Sequence, residues 1–298
     1  MSVIFDGYKE CYNNGVVACL KRNYESFKNK SLDDIANWLK PVLKYKWEEE
    51  CLEDFPYKYG TVIISDKKVV GYLGAVYSKR YDLNGKGYIF LRPTTWAIDE
   101  KYRIYLFKGL KEQFKAADVI GDFAPRESVE HTLVNLYKFK YCEKISYKFQ
   151  AIPYFGFYKV DVSFVKNSLE IDDKIVSREF RDNQIFDVKC AKINDKKSDA
   201  VAYILYKIVG REKNHRIMIM KIAGAELISM HIHEIFWRMM WHESAYHKLK
   251  CDGRFFRDCK FEYPFFKSKP MVRLLLNKRT DITPQDDFLY SDTCMLEG

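Results

Sequence analysis

Hydrophobic residues recur at helical spacing in three segments of the first half of the chain, residues 31–50, 102–116 and 128–141. Side chains three or four residues apart share one face of a helix. Each segment therefore predicts an amphipathic helix that packs against a core. Pro41 is expected to end or kink the first of these helices, because proline lacks the backbone N–H that the helix needs.

Three other segments have the composition of β-strands. Residues 59–80 contain two β-rich runs joined by the turn DKK, and residues 88–99 and 117–124 follow as single runs. A helix between two strands is the crossover that a parallel pair requires. The pattern predicts one mixed sheet, in which the hairpin is antiparallel and the last two strands are adjacent and parallel.

A similar order of elements returns in the second half of the chain. β-rich runs at 200–209 and 216–224 predict a second hairpin, and a long helix is predicted over 225–244. The predicted fold class is α/β, of the α+β kind, with a mixed sheet flanked by helices. Because the order of elements recurs, we expect two tandem domains of one fold, 1–160 and 161–298.

The formal net charge of +9 does not by itself identify a binding partner, and the distribution of the charged residues along the chain is more informative. Lys and Arg are spread among Asp and Glu, and the short basic runs REKNHR and NKRT are typical of turns. Nucleic acid is therefore not the expected partner. No apolar run has the ~18 residues of a membrane helix, and the first residues do not resemble a signal peptide. We expect a cytoplasmic protein without a membrane partner, and the sequence indicates no oligomeric state.

Cysteine and histidine spacing argues against a metal site. The eight cysteines are scattered, and none forms a C-x-x-C pair. Reduced thiols are expected, because a chain of this length does not need disulfides. His231 and His233 would point about 200° apart on a helix, and no H-E-x-x-H motif is present. Two histidines do not complete a site, so no metal is expected.

The segment EKYRIYLFKG, residues 100–109, lies between a predicted strand and a predicted helix. Together with the order of elements around it, over about residues 30–145, it resembles the GNAT superfamily of N-acetyltransferases. In that family the turn reads P-x-Y-R-G-x-G-x-G/A, and the next helix begins at the pyrophosphate of acetyl-CoA.

Two residues of this motif match, and its three glycine positions do not. Tyr102 and Arg103 stand where the family has them. The three glycine positions hold Ile104, Leu106 and Lys108. Glycine lets a phosphate lie against free amides and the positive end of a helix. The sequence thus departs from the family at the residues nearest the anion.

The resemblance implies that acetyl-CoA or another acyl-CoA is the co-substrate. It places backbone contacts to the pantetheine arm at Trp96, Ala97 and Ile98, and the pyrophosphate at the turn that follows. The residues implied at that turn are Arg103, Ile104, Tyr105, Leu106, Phe107 and Lys108.

The family's last helix often reads L-Y-x-x-x-G-F, with the tyrosine as general acid towards the leaving thiolate. Aligning LY with LY makes Tyr137 the acid, but then Tyr141 and Cys142 stand at the Gly-Phe positions. Aligning KFKY with K-L-G-F instead puts Leu136 at the acid position, and no acid remains. A phenol with a pKa near 10 suits a thiolate of similar basicity, so Tyr137 is the candidate.

No motif identifies the general base. Glu127, Glu130 and Asp122 all lie near the end of the predicted strand 117–124. A carboxylate can accept the proton that the acceptor amine loses. We take Glu127 as the candidate base and interpret Glu130 as a surface charge.

The resemblance implies an N-acyltransferase that moves an acyl group, first of all acetyl, from acyl-CoA to the amine of a small molecule such as an amino sugar or an amino acid. Two alternatives stay open. The missing glycines favour a catalytically inactive GNAT-derived binding module. Tandem domains and a basic balance are compatible with a relative that transfers aminoacyl groups from tRNA.

Overall fold

The computed structural model describes residues 2–43, 52, 54–82, 84–122, 127–142, 146–150, 152–210, 215–244, 248–256, 265–268, 274–282 and 284. The chain divides into two compact units. The first contains the described residues up to 142 together with 274–282 and 284, and the second contains those from 146 to 268. The limits 1–160 and 161–298 stay a prediction for independently folding domains.

The first unit is built on a seven-stranded sheet. Its strands are β1 (Val3–Gly7), β2 (Thr61–Ser65), β3 (Lys68–Tyr81), β4 (Gly87–Ile98), β5 (Val119–Asp122), β6 (Lys140–Tyr141) and β14 (Leu274–Asn277). Its α-helices within the described residues are α1 (Asn13–Asn23), α2 (Leu32–Leu43), α3 (Leu106–Phe114) and α4 (Glu127–Tyr137).

The strand order of this sheet is β1-β2-β3-β4-β5-β14-β6. Strands β2, β3 and β4 are antiparallel neighbours, whereas β4 and β5 are parallel. The predicted mixed sheet, with its parallel pair joined by a crossover helix, is confirmed. Helices α1 and α2 bury their apolar sides on one face of the sheet, and α3 and α4 cover the other.

The predicted helices begin and end at somewhat different residues. The first corresponds to α2, and residues 44–50 of the predicted helix lie outside the described residues. The second begins as a 3₁₀ helix, Glu100–Tyr105, and continues as α3. The third is α4, after which Lys138 adopts a left-handed conformation with φ 61° and ends the helix.

The second unit has its own seven-stranded sheet. Its strands are β7 (Ser146–Gln150), β8 (Val160–Val165), β9 (Lys189–Asp195), β10 (Val201–Val209), β11 (Arg216–Ala223), β12 (Lys248–Asp252) and β13 (Phe265–Ser268). Its α-helices within the described residues are α5 (Lys174–Asn183), α6 (Ala225–Met230) and α7 (Ile232–His242).

The second sheet has the order β13-β7-β12-β11-β10-β9-β8, and β11 and β12 form its parallel pair. The predicted hairpin of β10 and β11 is confirmed. The single long helix predicted over 225–244 is wrong, because His231 leaves the helical conformation (φ −122°, ψ 22°) and separates α6 from α7. Both sheets are mixed and flanked by helices, which confirms the α/β fold class.

Each sheet contains one strand from a distant part of the chain. Strand β14 lies in the first sheet between β5 and β6, and β7 lies in the second sheet between β12 and β13. Strand β14, which ends the run KPMVRLLLN of residues 269–277, thus belongs to the first sheet although it lies near the end of the sequence. Local patterning identifies such a strand but not its partners, because any free edge offers the same backbone groups.

Candidate active site

The parallel strands β4 and β5 part soon after they meet. Their pairing comprises Phe90 with Val119 and Leu91 with Ile120, while β4 continues to Ile98. Beyond Leu91 the described partner of β4 is β3 on its other side. Among the described residues, this edge of β4 therefore has no strand partner along Trp96–Ile98, where the resemblance places the pantetheine arm.

A β-bulge lies in this open stretch. Gly74 of β3 faces Thr94, Leu73 faces Trp96, and Thr95 between them is the extra residue, with φ 44°. A positive φ is strained for a β-branched side chain. A Cβ atom on Gly74 would lie 2.5 Å from Thr94 Oγ1, so only glycine fits opposite the bulge. Strain held at one place in a rigid sheet is a feature of functional sites.

Buried polar atoms gather at the same bulge. Among the described residues, Thr94 Oγ1, Thr95 Oγ1 and the indole Nε1 of Trp96 have no hydrogen-bond partner. Most buried polar atoms in proteins are paired, and an exception calls for an explanation such as a bound water or ligand. Three such atoms on consecutive residues distinguish this stretch of β4 from the rest of the strand.

The backbone carbonyls after the bulge are already paired. The Trp96 carbonyl accepts a hydrogen bond from the Tyr24 hydroxyl at 3.2 Å. The Ala97 carbonyl accepts one from the Cys19 thiol at 3.7 Å. Ile98 is buried against the α3 and α4 side of the sheet. Contacts from α1 and the residue after it thus fix this end of β4 in position.

The predicted pyrophosphate turn is a 3₁₀ helix that runs directly into α3. The Tyr102 amide donates to the Asp99 carbonyl at 2.8 Å, and the Leu106 amide donates to the Arg103 carbonyl. The second bond occupies the Leu106 amide, which a glycine-rich turn would leave for an anion. Ile104 is 73% exposed, so it does not close the turn.

Two cations stand at this turn. Arg103 is exposed, and the described residues show no hydrogen bond or ion pair for it. Lys108 is also exposed, and its Nζ lies 4.7 Å from the centre of the Phe5 ring. Tyr105 and Leu106 are half-buried against the core, whereas Phe107 is partly exposed. Positive charge at the turn therefore comes from side chains.

The candidate acid and base lie at opposite ends of α4. Glu127 is its first residue and Tyr137 its last, which separates their Cα atoms by about 15 Å along the axis. The Tyr137 hydroxyl donates to the Phe107 carbonyl at 3.0 Å, and its ring meets Phe114 edge to face at 5.1 Å. Burial raises the pKa of Tyr137 above its usual value of 10. The fold brings Tyr137 to the start of α3 and leaves Glu127 exposed.

A cleft of about 750 Å³ opens between α1 and α2 in the first unit. Its lining is polar and includes Tyr8, Glu10, Asn13 and Asn37. The Tyr8 hydroxyl donates to Asn13 Oδ1 at 3.1 Å, and its ring lies 6.0 Å from that of Tyr72 on β3. No motif in the sequence indicates these residues, because helix packing alone brings them together.

The bulge residues were likewise missed by sequence reasoning. A local signal was present, since Pro93, Thr94 and Thr95 interrupt an apolar strand. Proline within a strand is found chiefly at edges and bulges. In the described part of the chain, no three His, Cys, Asp or Glu side chains are grouped as metal ligands, and no described helix has both the length and the apolar character of a membrane span.

No protein-family model and no curated protein matches the sequence. Solved structures do resemble it. A GCN5-related N-acetyltransferase from Anabaena variabilis is similar with a TM-score of 0.61 at 10% identity, covering 93% of this chain and 73% of that one. A conserved protein of unknown function from Enterococcus faecalis, a probable N-acyltransferase, gives 0.59 at 9% identity, with the same coverage of 93% and 73%.

A third similar structure is a glucosamine N-acetyltransferase region of a fungal multi-domain β-N-acetylglucosaminidase. Its TM-score is 0.54 at 11% identity, covering 92% of this chain and 38% of that one. Similarity at such low identity concerns the fold and not the substrate. The fold of this chain is that of the GNAT N-acetyltransferases, as the resemblance in the sequence predicted.

Proposed function

We propose that the protein is an acyl-CoA-dependent N-acyltransferase whose active site lies in the first unit, and that the two units are tandem copies of one fold. The observation that carries the proposal is the parting of β4 and β5 after Leu91, followed on β4 by a strained bulge whose buried polar atoms have no partner among the described residues. This arrangement gives an extended acyl-pantetheine chain an open strand edge to lie along. Acetyl is the first acyl group to test.

The co-substrate would be held at two places. Trp96, Ala97 and Ile98 would face the pantetheine arm along β4. The segment Arg103–Lys108 would hold the pyrophosphate. Because the Leu106 amide is already bonded to a carbonyl, charge from Arg103 and Lys108 replaces part of the role that free amides have in a glycine-rich turn.

Tyr137 is the proposed general acid. Burial keeps its pKa high, so the phenol stays protonated at neutral pH and can supply a proton to a leaving thiolate. Tyr137→Phe preserves the ring packing against Phe114 and removes the proton. We expect kcat to fall by about 10²–10⁴-fold with little change in KM for acetyl-CoA.

Glu127 is the proposed general base for the acceptor amine. It has no ion pair among the described residues, and it begins the helix that follows β5 in the sequence. The acceptor would enter the polar cleft between α1 and α2, where Glu10 and Asn37 offer hydrogen-bond partners to an amine. A small amino sugar or amino acid fits this polarity.

One observation favours a second candidate, a GNAT-derived binding module without catalysis. Both the Leu106 amide and the Tyr137 hydroxyl, the groups that the chemistry would use, are engaged with backbone carbonyls. A module of this kind keeps the fold and the cleft but transfers no acyl group.

Calorimetry with acetyl-CoA and longer acyl-CoAs shows whether the protein binds the co-substrate or whether the turn has only a structural role. If the turn binds pyrophosphate, Arg103→Ala and Lys108→Ala each weaken binding by about 1–3 kcal/mol. Lys115→Ala is the control, because Lys115 lies just after the other end of α3 and pairs with Glu112. Absence of binding to the intact protein would refute the enzyme, and binding without turnover of any amine would favour the module.

A further inference from the structure

Basic residues gather on one face of the second sheet, and three of them lie on the neighbouring strands β7, β11 and β12. Lys250 on β12 pairs directly with Lys148 on β7 and, on its other side, with Met218 on β11. Arg216 precedes Met218 by two residues on the same strand. Side chains two apart on a strand, and directly opposite across strands, point to the same side of a sheet. Lys148, Arg216 and Lys250 therefore form one group, which we call the basic cluster.

The hydrophobic core lies on the other side of these strands. Leu249 and Cys251, the neighbours of Lys250, are buried in the core with Phe149 and Ile217. The alternation of the strands therefore directs the basic cluster away from α6 and α7.

The basic cluster is compact. Directly opposite residues have Cβ atoms about 5 Å apart, and diagonal neighbours about 7–8 Å apart. Lys148 and Arg216 are exposed, whereas Lys250 between them is half-buried. Burial, together with the positive charges of Arg216 and Lys148, lowers the pKa of Lys250. Arg216 and Lys148 thus act on this ammonium with charges of its own sign, a setting that attracts an anion.

The corresponding place in the first sheet is apolar. There Phe90 on β4 pairs with Val119 on β5, and both are buried with Tyr88 and Ile282. The same fold is thus built without cations at this position. The basic cluster is a property of the second unit alone and not a requirement of the sheet.

The basic cluster is also distant from the turn that the proposed function uses. Arg216 begins β11, while the turn corresponding to Arg103–Lys108 would follow the other end of that strand, after Ala223. Seven residues of extended strand separate these ends by roughly 23 Å. An anion held at the basic cluster would not occupy the equivalent of the pyrophosphate turn.

We propose that Lys148, Arg216 and Lys250 form a binding site for the diphosphate or triphosphate group of a small molecule. The cations lie within one or two rungs of the sheet, so they can contact a single polyphosphate at once. Arg216 offers a planar fork for two oxygens, and the lysines act as point charges. An RNA strand would instead call for cations spread along a track.

The test is calorimetric titration of the full chain with inorganic pyrophosphate and tripolyphosphate. Lys250→Gln and Arg216→Gln are each expected to weaken binding by about 10-fold or more. Lys115→Gln removes the same charge from the first unit and should leave the affinity unchanged. The Lys250 εCH₂ signal in NMR should report a rise in its pKa when pyrophosphate is added, a readout that general screening would not produce.

Further arms identify the source of the phosphate and separate this proposal from the proposed function. ATP and adenosine 3′,5′-bisphosphate show whether the group is recognised on a nucleotide, and Arg103→Ala should leave pyrophosphate affinity intact. Saturable binding that Lys250→Gln does not weaken would overturn the proposal. Absence of binding to both phosphates would also overturn the proposal. The same holds if neither phosphate binds and a single-stranded RNA of about 20 nucleotides binds instead with a steep salt dependence.

Discussion

Replacing Thr94 by Val tests whether the polar atoms at the bulge are unpaired within the protein. Thr94 is only 6% exposed, and its Oγ1 has no hydrogen-bond partner among the described residues. Valine has nearly the same shape, so the substitution exchanges a hydroxyl for a methyl group with little change in packing. The result depends on the solvation of this one atom.

The magnitude follows from three contributions. A buried hydroxyl without a partner costs about 1–3 kcal/mol of stability, which the substitution recovers. Burial of the new methyl group adds about 0.8 kcal/mol. A methyl is larger than a hydroxyl and lies against Gly74, so imperfect fit costs up to about 1.5 kcal/mol. We expect Thr94→Val to raise the free energy of unfolding by about 1–2 kcal/mol, and Tm by about 2–6 °C.

Thr61→Val is a matched control with the opposite expected sign. Thr61 lies in the same sheet with no exposed surface, but its Oγ1 accepts from Gln113 Nε2 at 3.2 Å and faces the Gly109 carbonyl at 3.5 Å. Removing this paired hydroxyl leaves buried partners unsatisfied, at a cost of about 1–3 kcal/mol.

Urea denaturation followed by circular dichroism measures both variants. If Thr94→Val is destabilised as much as Thr61→Val, the hydroxyl is paired within the protein and the reasoning about the bulge fails. Under the proposed function, the same substitution should also reduce the rise in Tm that acetyl-CoA produces, because a polar group leaves the strand that would bind it.

Three further predictions concern stability. Burial raises the pKa of the Cys19 and Cys190 thiols to about 12, whereas the thiols of the unfolded chain ionise near pH 9. The contribution of each buried, protonated thiol to stability is therefore full below pH 9. Between pH 9 and pH 12 the free energy of unfolding falls by about 1.4 kcal/mol per pH unit for each thiol. Cys19→Ala should make the free energy of unfolding, measured by urea titration at pH 8–11, fall less steeply with pH. Glu234→Ala should lower the free energy of unfolding by about 3 kcal/mol, because this buried carboxylate accepts the amides of Lys159 and Val160; Glu234→Gln should cost less, and equal losses would contradict this account. Gly74→Ala should lower the free energy of unfolding by about 1–3 kcal/mol. Adding Thr94→Ala to the same chain should restore part of this loss. Strictly additive effects of the two substitutions would show that the two positions are not in contact.

Local sequence patterns determined the secondary structure of most described elements. The hairpin of β2 and β3, the strand β4 and the crossover helix α3 follow from side-chain period and turn residues, which act over a few neighbours. The parallel pairing of β4 with β5 was predictable too, because a helix between two strands leaves few other connections. The turn Tyr102-Arg103 was recognisable as a motif for the same reason, since its residues are consecutive.

Tertiary structure alone decided the features on which the site depends. The bulge at Thr95 requires Gly74 on the neighbouring strand, and the placement of β14 between β5 and β6 requires a segment more than a hundred residues away. The basic cluster likewise arises only when β7 pairs with β12. In each case the determining interaction is a backbone hydrogen bond or a contact across the sheet, and such interactions join residues that share no local pattern. The sequence by itself therefore determined which segments are strands and helices, whereas the folded sheet determined which side chains meet.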